Sequence, residues 1–294
     1  MKERTIYALG FFDGVHLGHQ ALLRECRRLA TEYGCKAGAV TFCNHPDSLV
    51  LGKTPALINT AEDRQRLLGA WGIETILELP FDKDLMTTHW SSFLTQLVRH
   101  DAAGFVCGDD FRFGAGGRGT AQKLAAYCKS RVLPWAIVPG QTLDGTRVSS
   151  THIRQLLEAG DLENANRFLG HPHILSGEVI RGRGLGHTLG IPTANLALPE
   201  QTVPLRRGVY ACMAVVEGQT HLAVTNIGNR PTVGGHRVTV EPWLLDFEGD
   251  LYGKTVTLLF FAFLRPEQKF DSLEALKAEI QKNAQQTRDF FEKT

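Results

Sequence analysis

The chain has 294 residues, enough for two domains of ordinary size, and 43% of them are hydrophobic, as in soluble globular proteins. Its formal net charge of +1 removes any global electrostatic case for binding nucleic acid or a membrane surface. The 6 cysteines form neither a Cys-x-x-Cys pair nor a zinc-ligand spacing, so they read as free thiols of a reducing cytosol.

Thr5–Leu9 predicts a short buried strand, and Gln20–Ala30 carries apolar residues at helical spacing. Between them lies Gly10-Phe11-Phe12-Asp13-Gly14-Val15-His16-Leu17-Gly18-His19, a strand–turn–helix junction with two histidines at the turn. Two readings fit. His16 and His19 are ordinary turn and cap residues, or they donate hydrogen bonds to an α-phosphate during adenylyl transfer. The helix N-terminus would supply free N–H groups to phosphate, and Gly18 would let the backbone come close. A second motif, Val148-Ser149-Ser150-Thr151-His152-Ile153-Arg154, favours the second reading. Its three hydroxyls exceed what one helix cap needs. Arg154 sits near a helix start, where a cation opposes the dipole unless it faces bound polyphosphate.

Strand and helix signals alternate between these motifs. Strands are predicted at 37–42, 74–79, 104–107 and 133–138, and helices at 61–71, 90–100 and 120–130. Strict alternation implies a parallel sheet with helices on both faces and a ligand rim at the strands' carboxyl ends. His45 follows one strand, and Asp110, Arg112 and Arg118 follow another, so all four belong to that rim. Each alone reads as a loop residue in a local salt bridge; together they are hard to explain by packing. A metal site from Asp13, His16, His19 and His45 is disfavoured, because histidines meant for polyphosphate need no metal geometry.

From about residue 175 the pattern becomes all-β, with strands at 177–180, 208–216, 220–226, 238–247 and 255–264. A small barrel fits, closed by one helix at 272–291. Residues 161–173 read as a connector. Gly182, Gly184 and Gly186 belong to a Gly-rich flap that runs into Pro192-Thr193-Ala194-Asn195, where Thr193 and Asn195 offer oxygen ligands to Mg²⁺ and ATP phosphate. Gly249–Thr255 imitates a P-loop but has one residue too few between its glycines and leads into a strand, so it reads as a hairpin turn. Glu241 is an acid in an apolar strand, either surface-exposed or a general base facing a pocket. Turn-rich loops around Asn226, Arg230 and Arg265 are candidates to shape that pocket. The longest apolar run, Val256–Leu264, is too short to span a bilayer, and Asp13 and Gly14 interrupt any signal peptide. A cytoplasmic location follows as the expectation.

These motifs resemble, in order and over the full length, the bacterial bifunctional riboflavin kinase/FMN adenylyltransferase family. The resemblance rests on Gly10-x-Phe12-Asp13-Gly14-Val15-His16-x-Gly18-His19, Gly108-x-Asp110-Phe111-Arg112-Phe113-Gly114 and Ser149-Ser150-Thr151-x-Ile153-Arg154 in the first half. In the second half it rests on Leu189-Gly190-x-Pro192-Thr193-Ala194-Asn195, Asn226-Ile227-Gly228-x-Arg230-Pro231-Thr232, Val240-Glu241 and Leu264-Arg265-Pro266-Glu267. It implies a Rossmann-like nucleotidyltransferase domain over 1–160, a linker over 161–174, and a Greek-key riboflavin kinase barrel with a terminal helix over 175–294.

The implied reactions convert riboflavin to FMN and FMN to FAD, with ATP as co-substrate and Mg²⁺ as cofactor. Glu241 is implied as the kinase base, Thr193 and Asn195 as Mg²⁺ ligands, and Asn226, Arg230 and Arg265 as flavin contacts. In the first half His16 and His19 are implied as catalytic. Gly10, Asp13, Gly18, Ser149, Ser150, Thr151 and Arg154 are implied to hold ATP, and His45, Asp110, Arg112 and Arg118 to line the FMN and ATP loops. Small-molecule substrates are the implied partners, with weak self-association left open and no role for nucleic acid or membrane.

Three positions depart from the family pattern. Asn44 stands where the family has proline, which predicts a looser loop. Thr120 lies near the place of an acidic residue, and His187 replaces arginine in the flap. The competing readings are a chain with one silent half and a flavin-binding regulator without turnover. Retention of a base and of phosphate clamps counts against the regulator.

Overall fold

The structure, a computed structural model, describes residues 4–181, 191–197, 201–232 and 235–293, with the backbone alone at 229–232 and 235–237. Its contacts divide the chain into two units: Met1–Pro55 with Arg64–Ser150, and Ala56–Asp63 with Thr151–Thr294.

The first unit is built on a parallel sheet of β1 (Thr5–Leu9), β2 (Lys36–Phe42), β3 (Thr75–Leu79), β4 (Ala102–Gly108) and, after a small hairpin of β5 (Arg112–Phe113) and β6 (Gly119–Thr120), β7 (Trp135–Val138). Its order is β3-β2-β1-β4-β7. The chain therefore winds one way from β1 and then returns to wind the other, which places the switch point at the end of β1. All five residues of β1 are buried because both faces of the sheet are covered. Ile6 and Ala8 pack against Leu23, Cys26 and Leu29 of helix α1 (Leu17–Glu32). Tyr7 and Leu9 pack on the other face against Phe93, Leu94 and Leu124.

The second unit is a closed antiparallel barrel of β10 (His173–Ile180), β11 (Asn195–Ala197), β12 (Gly208–Val216), β13 (Gln219–Thr232), β14 (Gly235–Leu244) and β15 (Thr255–Arg265), after a two-strand ribbon of β8 (Thr142–Leu143) and β9 (Thr146–Arg147) in the first unit. β12, β13 and β14 form a meander, and β15 returns to pair with β12, which is a Greek key. Both faces of β12 are buried at its start, since Val209 and Val224 pack under Ala284 of the C-terminal helix Leu273–Glu292. The Gly249–Gly253 segment is a turn into β15, as its glycines predict.

Two features depart from the linear reading. The expected connector holds the helix Leu162–Leu169, capped by Asp161 and tied to β15 by a hydrogen bond from Asn166 Nδ2 to Phe260 O. Residues 56–63 leave the first unit's sequence and pack with the second. There Asn59 Nδ2 donates to Ile174 O at 3.1 Å, and Asp63 Oδ2 accepts from Ser176 N at 3.0 Å.

His173 at the start of β10 is 0% exposed, and neither of its ring nitrogens has a hydrogen-bond partner among the described residues. Burial, reinforced by His171, lowers its pKa to about 3. The unfolded chain, titrating near 6.5, then binds the extra proton. Stability is therefore complete above about pH 6.5 and is lost as pH falls towards the folded value. Calorimetry from neutrality down to about pH 5 should show the barrel's unfolding temperature dropping. His173→Leu should flatten that slope; an unchanged slope would exclude His173 as its source.

Candidate active sites

The loop after β1 is an unusual piece of backbone. Phe12 and Val15 have φ of 60° and 38°, and Gly14 has 82°, all left-handed. Such conformations cost energy at non-glycine residues and persist where surroundings hold them. Here Phe12 and Val15 are fully buried. Thr41 Oγ1 donates to Phe11 O at 2.9 Å, and Gln20 Nε2 donates to Val15 O at 3.0 Å. Gly10 passes beneath the Phe12 ring, where a Cβ would come within 3.1 Å of it.

The kink delivers His16 to the N-cap of α1, where its Nδ1 accepts from His19 N at 3.3 Å. The His16 and His19 rings stack with centroids 3.7 Å apart. A Cβ on Gly18 would lie 3.2 Å from the His16 ring, so glycine there makes room for the fold-back. His19 Nδ1 is buried without a hydrogen-bond partner among the described residues. Burial, and then the neighbouring His16, hold the His19 pKa well below the usual histidine range. The stacked pair thus resists carrying two positive charges.

The second motif reaches the same loop. Ser150 Oγ donates to Asp13 O at 3.0 Å across 137 residues of sequence. Ser149 and Ser150 are half-buried at the start of helix Ser150–Ala159, and Thr151 and Arg154 follow in that helix within the second contact unit. His45 caps the short helix Pro46–Val50 and meets the Phe11 ring edge-on at 4.7 Å. Asp110 forms an exposed ion pair with Arg147 at 2.6 Å, the local partner that its sequence context allowed. Arg112 and Arg118 are exposed on the β5–β6 hairpin. Among the described residues no three or more His, Cys, Asp or Glu side chains are grouped to hold a metal ion.

Beside these loops, at the carboxyl ends of the strands, lies an apolar cleft of about 850 Å³. Phe42, Phe81, Met86, Phe93 and Phe113 line it, with Arg112 at its edge. None of these phenylalanines was among the candidate site residues, Phe113 entering only as part of the Gly108–Gly114 motif, because each alone reads as core. Asn44 also differs from expectation. Its loop is clamped, not loosened: Asn44 Nδ2 donates to Phe81 O and Asn44 Oδ1 accepts from Phe81 N, both at 2.9 Å.

In the barrel, antiparallel register aligns the candidate residues. Asn226 pairs with Glu241 across β13 and β14. Leu196 pairs with Val240, and Ala194 N donates to Pro242 O, which brings Asn195 opposite Glu241. Directly opposed residues share a sheet face, so Asn195, Glu241 and Asn226 form one polar row. The row continues through Val209 to Arg265, which the C-terminal helix holds through Asn283 Oδ1 at 3.1 Å and Glu279 Oε1 at 3.4 Å. Burial lowers the Arg265 pKa. Glu267, absent from the sequence candidates, reaches over Gly228, where a Cβ would lie 2.6 Å from its carboxylate. Thr193 lines a pocket of about 300 Å³ with Val179, Leu244, Phe247, Asp250 and Tyr252. The flap glycines Gly182, Gly184 and Gly186, and His187, lie outside the described residues, as does the Arg230 side chain; the Arg230 backbone belongs to β13.

A doubly wound sheet with its polar loops at the switch point, joined in one chain to a closed barrel with a polar row, defines a two-domain protein of the α/β-plus-β class. Comparison with known proteins specifies which. The FAD synthetase family model matches residues 1–152, and the riboflavin kinase model matches residues 169–291. The bifunctional riboflavin kinase/FMN adenylyltransferase of Listeria monocytogenes is 36% identical over 293 residues, covering 98% of this chain and 93% of its own length. The Escherichia coli protein of the same name is 37% identical over 296 residues, covering 99% and 94%. A crystal structure described as a macrolide-efflux protein from Streptococcus pneumoniae matches with a TM-score of 0.86 at 29% identity, covering 98% of this chain and 95% of that one. The chain belongs to the bifunctional riboflavin kinase/FMN adenylyltransferase family.

Ser150→Ala removes the hydrogen bond that joins the two motifs of the first unit. It should lower that unit's stability by about 1 kcal/mol, read from the urea midpoint. No change would mean that this hydrogen bond is not what holds the two loops together.

Proposed function

We propose that this chain makes FAD in two steps, phosphorylating riboflavin in the barrel and adenylylating the resulting FMN in the parallel-sheet half. The observation that carries the reading is the continuity of the match, with relatives of that one name aligned through 98% and 99% of the chain.

In the kinase step, Glu241 takes the proton from the ribityl 5′-hydroxyl, whose oxygen attacks the γ-phosphorus of ATP. The bond to the β–γ bridging oxygen breaks and ADP leaves. Phosphoryl transfer asks mainly for positioning and charge neutralisation, which suits so sparse a polar row. Thr193 and Asn195, two residues apart at the start of β11, supply neutral oxygen donors of the hard type that Mg²⁺ accepts. When bound there, Mg²⁺ supplies neutralisation of phosphate charge. Val179, Leu244, Phe247 and Tyr252 form a slot for the adenine ring. Asn226 and Arg265 orient the flavin.

In the adenylyl step, a phosphate oxygen of FMN attacks the α-phosphorus of ATP and pyrophosphate leaves. The nucleophile is already ionised, so no base is required. His16 and His19 donate to the developing charge on the α-phosphate. Ser150 holds the polyphosphate, and Gly10, Asp13, Gly18 and Ser149 complete its cradle. The aromatic cleft takes the isoalloxazine ring, with His45, Arg112 and Arg118 near the phosphates. Asp110 reaches a ribose hydroxyl by exchanging its Arg147 partner. The six free thiols support a reducing, cytoplasmic location.

Incubation with ATP, Mg²⁺ and either riboflavin or FMN, followed by chromatography of the flavins, tests the assignment. Glu241→Ala should abolish FMN formation and leave FAD synthesis from supplied FMN intact. His19→Ala should do the reverse, losing about 10²–10³ in FAD formation, as for an oxyanion-hole donor. Equal loss of both activities in either variant would sink the two-site assignment.

A further inference from the structure

We propose that Asn44 is a positioning residue for the adenylyl transfer: it holds Phe81 so that the ring forms one wall of the flavin cleft. The inference rests on reading that cleft as the flavin site.

β2 and β3 run parallel until Phe42 stands beside Leu79, and Cys43 N then donates to Leu79 O at 3.0 Å. The next rung of that parallel ladder would run from Phe81 N to Cys43 O, and Phe81 N donates to the Asn44 side chain instead. The Asn44 side chain takes over. Its amide carries a donor and an acceptor in the geometry of a peptide group, and it bonds both polar groups of the Phe81 backbone. This stands in for that rung. Both distances, 2.9 Å, are at the optimum for N–H···O bonds.

The rung lies directly behind the cleft. The Phe81 ring meets the Phe42 ring edge-on at 5.4 Å, and both line the cavity. Phe42 is pinned from behind in a similar manner. Arg64, only 1% exposed, donates through Nη2 to Phe42 O and to Glu78 Oε1, each at 2.9 Å. Asn44 is not itself among the cleft's lining residues. Its influence on a bound flavin therefore passes through Phe81. Without the amide, the Phe81 backbone loses both its partners, and the segment after β3 is free to swing its ring away from Phe42.

The test measures FAD formation with FMN and ATP varied separately in Asn44→Ala, Asn44→Asp and Phe113→Ala. Asn44→Asp keeps the side-chain shape but removes the donor, and it decides the matter should Asn44→Ala not fold. Phe113→Ala alters the cleft at a wall remote from the clamp. The urea unfolding transition of the first unit, followed in each variant, reports the amount of folded protein in that half. A positioning role predicts that both Asn44 variants raise KM for FMN by about tenfold, the loss expected when paired hydrogen bonds are removed, with KM for ATP unchanged. A merely structural role would lower kcat through the folded fraction and leave both KM values alone, and that result would overturn the inference. Should Phe113→Ala raise KM for FMN while neither Asn44 variant does, the cleft stands and the role of Asn44 falls. Should none of the three move it, the cleft is not the flavin site and the inference falls with it.

Discussion

The left-handed kink between Phe12 and Val15 is the constraint on which the first site depends. Two non-glycine residues held at positive φ cost on the order of 1–3 kcal/mol each. Burying a phenylalanine and a valine side chain returns about 1.5–3 kcal/mol each, so burial and strain are of comparable size. The kink is therefore stable only while its hydrophobic anchors and its hydrogen bonds from Thr41 and Gln20 stay in place. Its product is the geometry at the start of α1. A gentler turn would not place His16 over Gly18 and against His19, and would not bring Asp13 O within reach of Ser150.

The two units assemble their polar residues by different means. In the parallel sheet the loops leave from one rim, so groups distant in sequence converge at the carboxyl ends of the strands. Register does the same work in the barrel. A pairing that sets Asn226 opposite Glu241 also fixes Asn195 and Val209 on the strands to either side and Arg265 on the strand beyond. A one-residue slip would turn every member of the row to the opposite face, so the site and the strand pairing are specified together.

Much of this was legible in the sequence where the signal is local. The strand–turn–helix around His16 and His19, the alternation of strand and helix, the barrel strands and the false P-loop turn all follow from short-range patterns. Asp161, with Leu162, Ala165, Phe168 and Leu169 at helical spacing behind it, did carry a helix signal in the stretch expected to be a connector. Other features had no local trace. Phe42, Phe81, Phe93 and Phe113 come from separate segments, and only the folded rim makes them walls of one cleft. Asn44 looked like a flaw in a proline loop, because the polar partner for its amide is a backbone 37 residues away. Arg265 is held by Glu279 and Asn283, a contact that requires the terminal helix to lie back across the strands.

The detour of residues 56–63 bears on how the chain is made. Asn59 and Asp63 serve Ile174 and Ser176, which follow 115 and 113 residues later. On the ribosome, a short buried piece of the barrel unit is thus released early, while its binding partners are still untranslated. It must remain uncommitted as the parallel sheet forms on either side of it. The sheet can close before translation ends, but the barrel cannot, so the order of synthesis favours completing the adenylyltransferase half first. A gene fragment cut at the apparent domain boundary would lack this piece and would leave the Ser176 N–H without its carboxylate.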